Sequence, residues 1–547
     1  MVLRDTQKAI ALAMVVVGVY LVISSRSTLW DRDEPRFARA TVEMVDSGNY
    51  LYPTFNGVLR PDKPILIYWL MSIPVRLLGP TELACRFFGA VGSGVTCFMT
   101  FLIGRRLFGP RVALRAMAIL GTSFMMMFIG TAATADAVLL PCMMAAMAAF
   151  VASWGRGMGW KETLLLGLAL GAALLAKGPV GLLPCVVIAV TLWLARGEQP
   201  VARRVLVPVL GAMAVAVMLF LAWAIPANEA TGGEFGRIGL GKHVVGRSLA
   251  PMESHGGKWL LHLPYYAFVV IAFFFPWSMH LPGALSALAG KRIGGRFDRA
   301  LLWGWMVPVF VIMTVVATKL PHYVLFTWPV MALLVAETLR LAEQGKLAER
   351  DTLWLRRGTW FFGPVAFGMA GVLTASGWVL KVAVLKWAGP LAGAALAVTA
   401  VMAIRHQQAN RFMASSKALF TGIILLITFL LWILPALEQI KVSPSLAKAI
   451  RTAASPRVPL AVYQYGEPTL NFYTGRHIEA LSEEKDVLEW AARPGPGILV
   501  IPRDRLEAVE QQHGSLSLNV VGSVKGYNYS KGKPLEVLAL KRGVDVP

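Results

Sequence analysis

Long apolar runs separated by short polar breaks fill the first four-fifths of the chain. A membrane-crossing helix needs about 20 mostly apolar residues. On that measure thirteen segments qualify: 9–25, 84–104, 112–130, 136–154, 162–177, 179–195, 204–225, 259–281, 300–317, 321–340, 358–379, 382–404 and 417–437. Glycine and proline interrupt several of them, as membrane helices tolerate. The runs meeting at Lys177-Gly178-Pro179 lie so close together that they resemble one long span. Three stretches break the rhythm: 26–83, 226–258 and 439–547. In the first, Phe37, Ala40, Thr41 and Met44, and later Ile65, Trp69, Leu70 and Ile73, recur at helical spacing. That spacing predicts two amphipathic helices at the membrane face, joined by a turn containing Gly and Pro. In the tail, apolar alternation and helical spacing take turns. The pattern predicts strand 460–465, helix 469–474, strand 477–481, helix 485–492, strand 497–501 and helix 504–512, then strands near 518–525 and 535–540. The fold class expected is therefore mainly α. It is a polytopic membrane helix bundle of about thirteen spans over residues 1–438, with external amphipathic helices and a small soluble C-terminal α/β domain over 439–547.

Composition agrees with that picture. Of 547 residues, 56% are hydrophobic and 15% charged, which excludes one large soluble enzyme and a disordered chain. The net charge of +22 would point a soluble protein toward nucleic acid. Here its placement gives another reason. The short loops on one side carry clusters such as Arg105-Arg106, Arg203-Arg204, Lys291-Arg292 and Arg356-Arg357. The short loops opposite carry only Lys177, Lys319, Lys381 and Lys386. Cytoplasmic loops collect Lys and Arg, so the N-terminus is expected in the cytoplasm and the three irregular stretches outside. No nucleic-acid partner is expected. No small-residue cleavage site follows the run at 9–25, so it reads as a first span and not a leader. The four cysteines, Cys85, Cys97, Cys142 and Cys185, lie in or beside apolar runs and read as small buried residues.

What topology leaves unexplained is a set of charges on the outer side. Asp33 and Glu34 follow the first span and precede Pro35, a helix-start residue. Asp136 is an isolated carboxylate at the outer end of the fourth span. A carboxylate at membrane depth is costly and marks a functional site unless it merely caps the helix. Lys63, Lys177, Lys319 with His322 and Tyr323, and Lys242, His243, Arg247 and Lys258 crowd the outer ends of other spans. Cations where topology does not call for them point to an anionic ligand, with phosphate the natural candidate. His243, His255, His262 and His280 fit no zinc spacing. Structural or interfacial roles are expected for them. A divalent metal held by His243, His255 and a nearby carboxylate is the one cofactor left open.

One ordered set of residues resembles a known family: Asp33-Glu34-x-Arg36-Phe37-Ala38, Glu43-Met44-x-x-Ser47-Gly48-Asn49-Tyr50-x-x-Pro53, Gly57, and Lys63-Pro64-x-x-x-Tyr68-Trp69. It is similar to the GT-C class of polyprenyl-phosphate-sugar glycosyltransferases, closest to those that move 4-amino-4-deoxy-L-arabinose (aminoarabinose) to lipid A. The span count, outer loops and external tail extend the resemblance over the chain. It implies an undecaprenyl-phosphate sugar donor, a lipid A acceptor, surrounding membrane lipids, and a bacterial inner-membrane location with the tail domain in the periplasm. It implies active-site carboxylates at Asp33, Glu34 and Asp136, and polyprenyl-phosphate contacts at Lys63, Arg36, Arg247 and Tyr323. In-line displacement between two phosphates would invert the anomeric carbon. A related transferase for another sugar or a protein acceptor, or a transporter, is the alternative. Transporters usually carry paired repeats and mid-membrane sites, neither of which is visible here.

Overall fold

The computed structural model describes residues 2–196, 201–239, 241, 264–529 and 532–543. Among them the chain forms two compact units. The first comprises 1–24, 61–70 and 86–432; the second comprises 25–60, 71–85 and 433–547. The tail domain expected at 439–547 falls within the second unit, together with most of the first outer loop.

The first unit is a helix bundle, and the protein is a polytopic membrane protein. Among the described residues ten helices are long and apolar enough to cross a membrane, or twelve if two bent pairs each make one span. One of the ten, Trp160–Leu194, spans 35 residues. It is in fact two runs. Helix α8 (Trp160–Lys177) ends at Gly178, and a 3-10 turn, Gly178–Leu182, leads into α9 (Leu183–Leu194). A Cβ on Gly181 would lie 2.5 Å from the Ala173 carbonyl carbon. Residues eight apart in a straight helix are about 12 Å apart, so the chain reverses here. The two segments expected at 162–177 and 179–195 are therefore separate, and among the described residues each of the thirteen expected runs has a helical counterpart. The run expected at 259–281 differs in shape. Its described part, Tyr265–Phe273, turns by 115° into Trp277–Ala289, across Pro276, which cannot continue a helix.

Small residues set the spacing that builds the site. In α8, Gly167 and Gly171 face α10 (Val201–Ala230), where added Cβ atoms would come 2.8 Å from Val215 and 2.6 Å from Leu219. In α4 (Glu82–Phe108), a Cβ on Gly92 would lie 2.5 Å from the Ala137 carbonyl oxygen. That close approach seats the first turn of α7 (Ala135–Ser153) against α4. His280, expected in a structural role, is fully buried, with Gln407 Nε2 3.2 Å from its Nδ1 and Ser416 Oγ 3.2 Å from its Nε2.

The second unit is built on a five-stranded sheet of order β4-β3-β5-β7-β6. The strands are β3 (Leu460–Tyr463), β4 (Ile478–Leu481), β5 (Gly497–Pro502), β6 (Asn519–Asn528) and β7 (Lys533–Arg542). Strand β3 pairs in parallel with β4 and β5, while β7 runs antiparallel to β5 and β6. Side chains alternate across a strand. Leu460, Val462, Ile498, Val500, Val537 and Ala539 thus join one apolar layer with Leu446 and Ile450 of helix Val442–Ala453. Ala461, Tyr463, Leu499, Ile501, Leu538 and Leu540 join the other with Val487 and Trp490 of helix Glu484–Ala492.

The outer loop contributes α2 (Asp33–Ser47), a hairpin of β1 (Thr54–Phe55) and β2 (Val58–Leu59), and part of α3 (Leu66–Leu78). Just ahead of α2, Asp31 accepts hydrogen bonds from Thr469 N (2.9 Å), Thr469 Oγ1 (2.7 Å) and Tyr529 OH (3.0 Å). Burial pushes its carboxyl up to about 6; Thr469 and Tyr529 oppose that rise, and the nearby Glu467 charge adds to it. The folded chain thus holds this proton more tightly than the unfolded chain. Between about pH 4 and 6 the folded state keeps a proton that the unfolded state releases, so stability falls as pH rises through that window. The two-unit shift corresponds to about 3 kcal/mol. Melting of the detergent-solubilised protein from pH 4 to 7 should show this slope. Asp31→Asn should flatten it, and superimposable profiles for the two proteins would refute the assignment.

Candidate active site

Asp136 is the second residue of α7. Thr134, not Asp136, occupies the N-cap position, and it makes no side-chain cap bond. The first turn of a helix still favours a carboxylate, because unpaired N–H groups there leave partial positive charge. Lys177 is the last residue of α8, where a cation is favoured for the opposite reason. Gly178 follows with φ 63° and ψ −142°, a conformation open essentially to glycine alone. This turn leaves the lysine at the end of its helix, facing the start of α7. Lys177 Nζ lies 2.6 Å from Asp136 Oδ1 and 2.7 Å from Oδ2. Both side chains are largely buried, at 11% and 14% exposure.

Two neighbours complete the cluster. The 3-10 segment Pro321–Thr327 brings His322 Nε2 to 3.5 Å from Asp136 Oδ2. It also sets the Tyr323 ring 5.0 Å from the Lys177 ammonium, a cation–π contact. Lys63, whose Nζ donates to the Asp62 carbonyl at 3.0 Å, is within electrostatic reach of Asp136. These groups open onto a cavity of about 730 Å³, within the range of small-molecule sites, roughly 300–1,000 Å³. Its other walls are mainly apolar and include Leu139, Leu140, Met143, Leu183, Phe220, Trp223, Phe235, Ile312 and Phe326. Cations gathered at one part of an apolar chamber suit a ligand with an anionic head and a hydrocarbon body.

Of the residues singled out from the sequence, Lys63, Asp136 and Tyr323 come together here. Lys177 was visible only as one of several outer cations and His322 only as a polar neighbour of Lys319, and their convergence on Asp136 was not. Trp223, Asn228, Glu229 and Phe235 also line the chamber, and no sequence signal had marked them. Asp33, Glu34 and Arg36 belong to the second unit, in the first turn of α2. Asp33 is exposed. Glu34 is buried and accepts a hydrogen bond from Trp30 N at 2.8 Å, so it is engaged in the local fold. Arg247, and the His243–His255 pair considered for a metal, lie outside the described residues. Among the described residues no three His, Cys, Asp or Glu side chains gather to hold a metal ion.

Comparison with known proteins bears on this geometry. A family model described as dolichyl-phosphate-mannose-protein mannosyltransferase matches residues 62–225, the stretch carrying Lys63, Asp136 and Lys177. The undecaprenyl phosphate-alpha-4-amino-4-deoxy-L-arabinose arabinosyl transferase of Edwardsiella ictaluri is 31% identical over 333 residues, covering 59% of this chain and 58% of its own. The protein of the same name from Pectobacterium carotovorum is 30% identical over 370 residues, covering 66% of this chain and 63% of its own. The chain thus spans about three-fifths of the length of the curated relatives it matches. The crystal structure of ArnT from Cupriavidus metallidurans bound to undecaprenyl phosphate superposes with a TM-score of 0.75 at 20% identity, covering 98% of both chains. Its apo form gives 0.76 at 19% identity. In sequence, then, the chain resembles the GT-C polyprenyl-phosphate-sugar glycosyltransferases, and its fold is that of the aminoarabinose transferase ArnT.

Proposed function

We propose that the protein transfers 4-amino-4-deoxy-L-arabinose from undecaprenyl phosphate to a phosphate of lipid A, at the periplasmic face of the bacterial inner membrane. The observation that carries this reading is the chamber itself: a cationic cluster around one carboxylate, set in walls apolar enough for a polyprenyl chain. An oxygen of the acceptor phosphate attacks the anomeric carbon. The bond from that carbon to the donor phosphate oxygen breaks, its electron pair leaves with undecaprenyl phosphate, and configuration inverts. The acceptor is already an anion and the leaving group is a phosphate, so neither strong base nor strong acid is required. The obstacle is charge. Two unit charges about 6 Å apart at an effective dielectric near 20 repel by roughly 3 kcal/mol. Lys63 and Lys177 offset that repulsion and the charge growing on the departing phosphate. Asp136 holds Lys177 in place, and Tyr323 packs on its ammonium. Arg36 and Arg247 are proposed as further phosphate contacts, and Asp33 and Glu34 as carboxylates of the active site, on the resemblance of their motif.

The test is reconstitution in liposomes with lipid A and the aminoarabinose donor, read by mass spectrometry of lipid A. Wild type should add one aminopentose. Lys63→Ala and Asp33→Asn should each lower turnover by about a hundredfold or more while inserting normally. Near wild-type turnover in both would remove these residues from the site. The match to the mannosyltransferase model favours one competitor, a transferase for another sugar, which transfer from a polyprenyl-phosphate-mannose donor would reveal.

A further inference from the structure

Among the described residues three carboxylates line the chamber: Asp62, Asp136 and Glu229. Asp136 is neutralised by Lys177 and faced by His322, and Asp62 is engaged within the fold. Glu229 differs. Among the described residues its carboxylate has no hydrogen bond and no ion pair, and Arg237, another lining residue, pairs instead with Glu234 at 3.7 Å. Its position is also electrostatically unfavourable. It is the penultimate residue of α10, where unpaired carbonyls make the helix end negative and no basic residue in the last turn offsets them. Glu229 is exposed, so water hydrates its charge; with no cap and no ion pair among the described residues tying it to the fold, its carboxylate is available to a ligand in the chamber.

We propose that Glu229 is the specificity residue that recognises the sugar's 4-ammonium group. The inference rests on the aminoarabinose reading above. That substrate carries two opposite charges, a phosphate and an ammonium. Lys63, beside the Lys177–Asp136 pair, suits the first and repels the second. Glu229 is the lining carboxylate whose charge no cation offsets among the described residues, so it provides the complementary anion. A neutral sugar would gain nothing from it.

The experiment compares two donors in the liposome assay: undecaprenyl phosphate carrying aminoarabinose, and the same donor with a 4-hydroxyl in place of the amine. Wild type should prefer the amino donor. Glu229→Gln keeps the side-chain shape and removes the charge. It should cut the ratio of kcat/KM between amino and hydroxyl donors by about tenfold, the scale of one charge-assisted hydrogen bond, mainly through KM of the amino donor. Glu229→Asp should recover part of the preference. An unchanged ratio in Glu229→Gln, with or without an equal loss on both donors, overturns the proposal and leaves the transfer reaction standing. Wild type that transfers neither donor overturns the reaction itself.

Discussion

Lys177→Met is expected to abolish sugar transfer and to destabilise the protein by about 3–5 kcal/mol, the usual cost of removing one partner from a buried pair. The substitution keeps most of the volume and removes the ammonium that both Asp136 oxygens accept, at 2.6 and 2.7 Å. His322, at 3.5 Å, is the nearer of the remaining groups and compensates only in part. Asp136→Asn should likewise lose transfer, because Lys177 is then no longer held beside the Tyr323 ring. The two losses of stability should not add. In the double variant no unpaired charge remains, so its stability should exceed that of Lys177→Met, while transfer stays absent. Thermal denaturation in detergent and turnover in liposomes separate the two effects. Additive destabilisation would mean the pair is not coupled. Wild-type turnover in Lys177→Met would make it architecture alone.

That pair marks where sequence reading stops. Asp136 stood out because a lone acid among apolar residues is costly, a property of the chain itself. Lys177 lies 41 positions away, and its meeting with Asp136 depends on the chain reversal at Gly181 and the glycine turn at Gly178. Neither spacing nor composition encodes such a meeting. The spans were legible because a bilayer forces long apolar runs. The tail sheet was legible because both of its faces are covered, and expected strand ends fall within a few residues of those observed. Helix Val442–Ala453 escaped although Val442, Leu446 and Ile450 follow helical spacing, because only the short break 438–441 separates it from a long apolar run. The hairpin of β1 and β2 escaped because two-residue strands are too short to show alternation, even though Asn56-Gly57 is a strong turn signal.

The same hairpin explains much of the family-like motif, and gives the second large expectation: Glu43→Ala should destabilise the second unit by about 3 kcal/mol. The Glu43 carboxylate accepts from Arg39 Nε (3.0 Å), Asn56 N (2.8 Å), Thr54 Oγ1 (2.8 Å) and Gly57 N (3.2 Å). It therefore ties α2 to a turn whose two central residues both have positive φ, 56° and 75°. Other motif residues shape the path between them. Gly48 ends α2 at φ 70°, and Asn49 Oδ1 accepts from Leu51 N at 3.0 Å. The hairpin in turn protects an exposed edge. Asn56 Nδ2 donates to the Ile478 carbonyl and its Oδ1 accepts from Ile478 N, both at 2.8 Å. This side chain thus pairs with edge strand β4 as a neighbouring strand would. Each charge-assisted bond is worth about 1.5–3 kcal/mol net. Removing the carboxylate loses several, and at a position whose side chain is only 12% exposed water recovers only part of the cost. Hydrogen exchange should then rise together in residues 50–60 and in β4, because one anchor holds both. Faster exchange in the hairpin with β4 unchanged would show that Asn56 does not cover that edge.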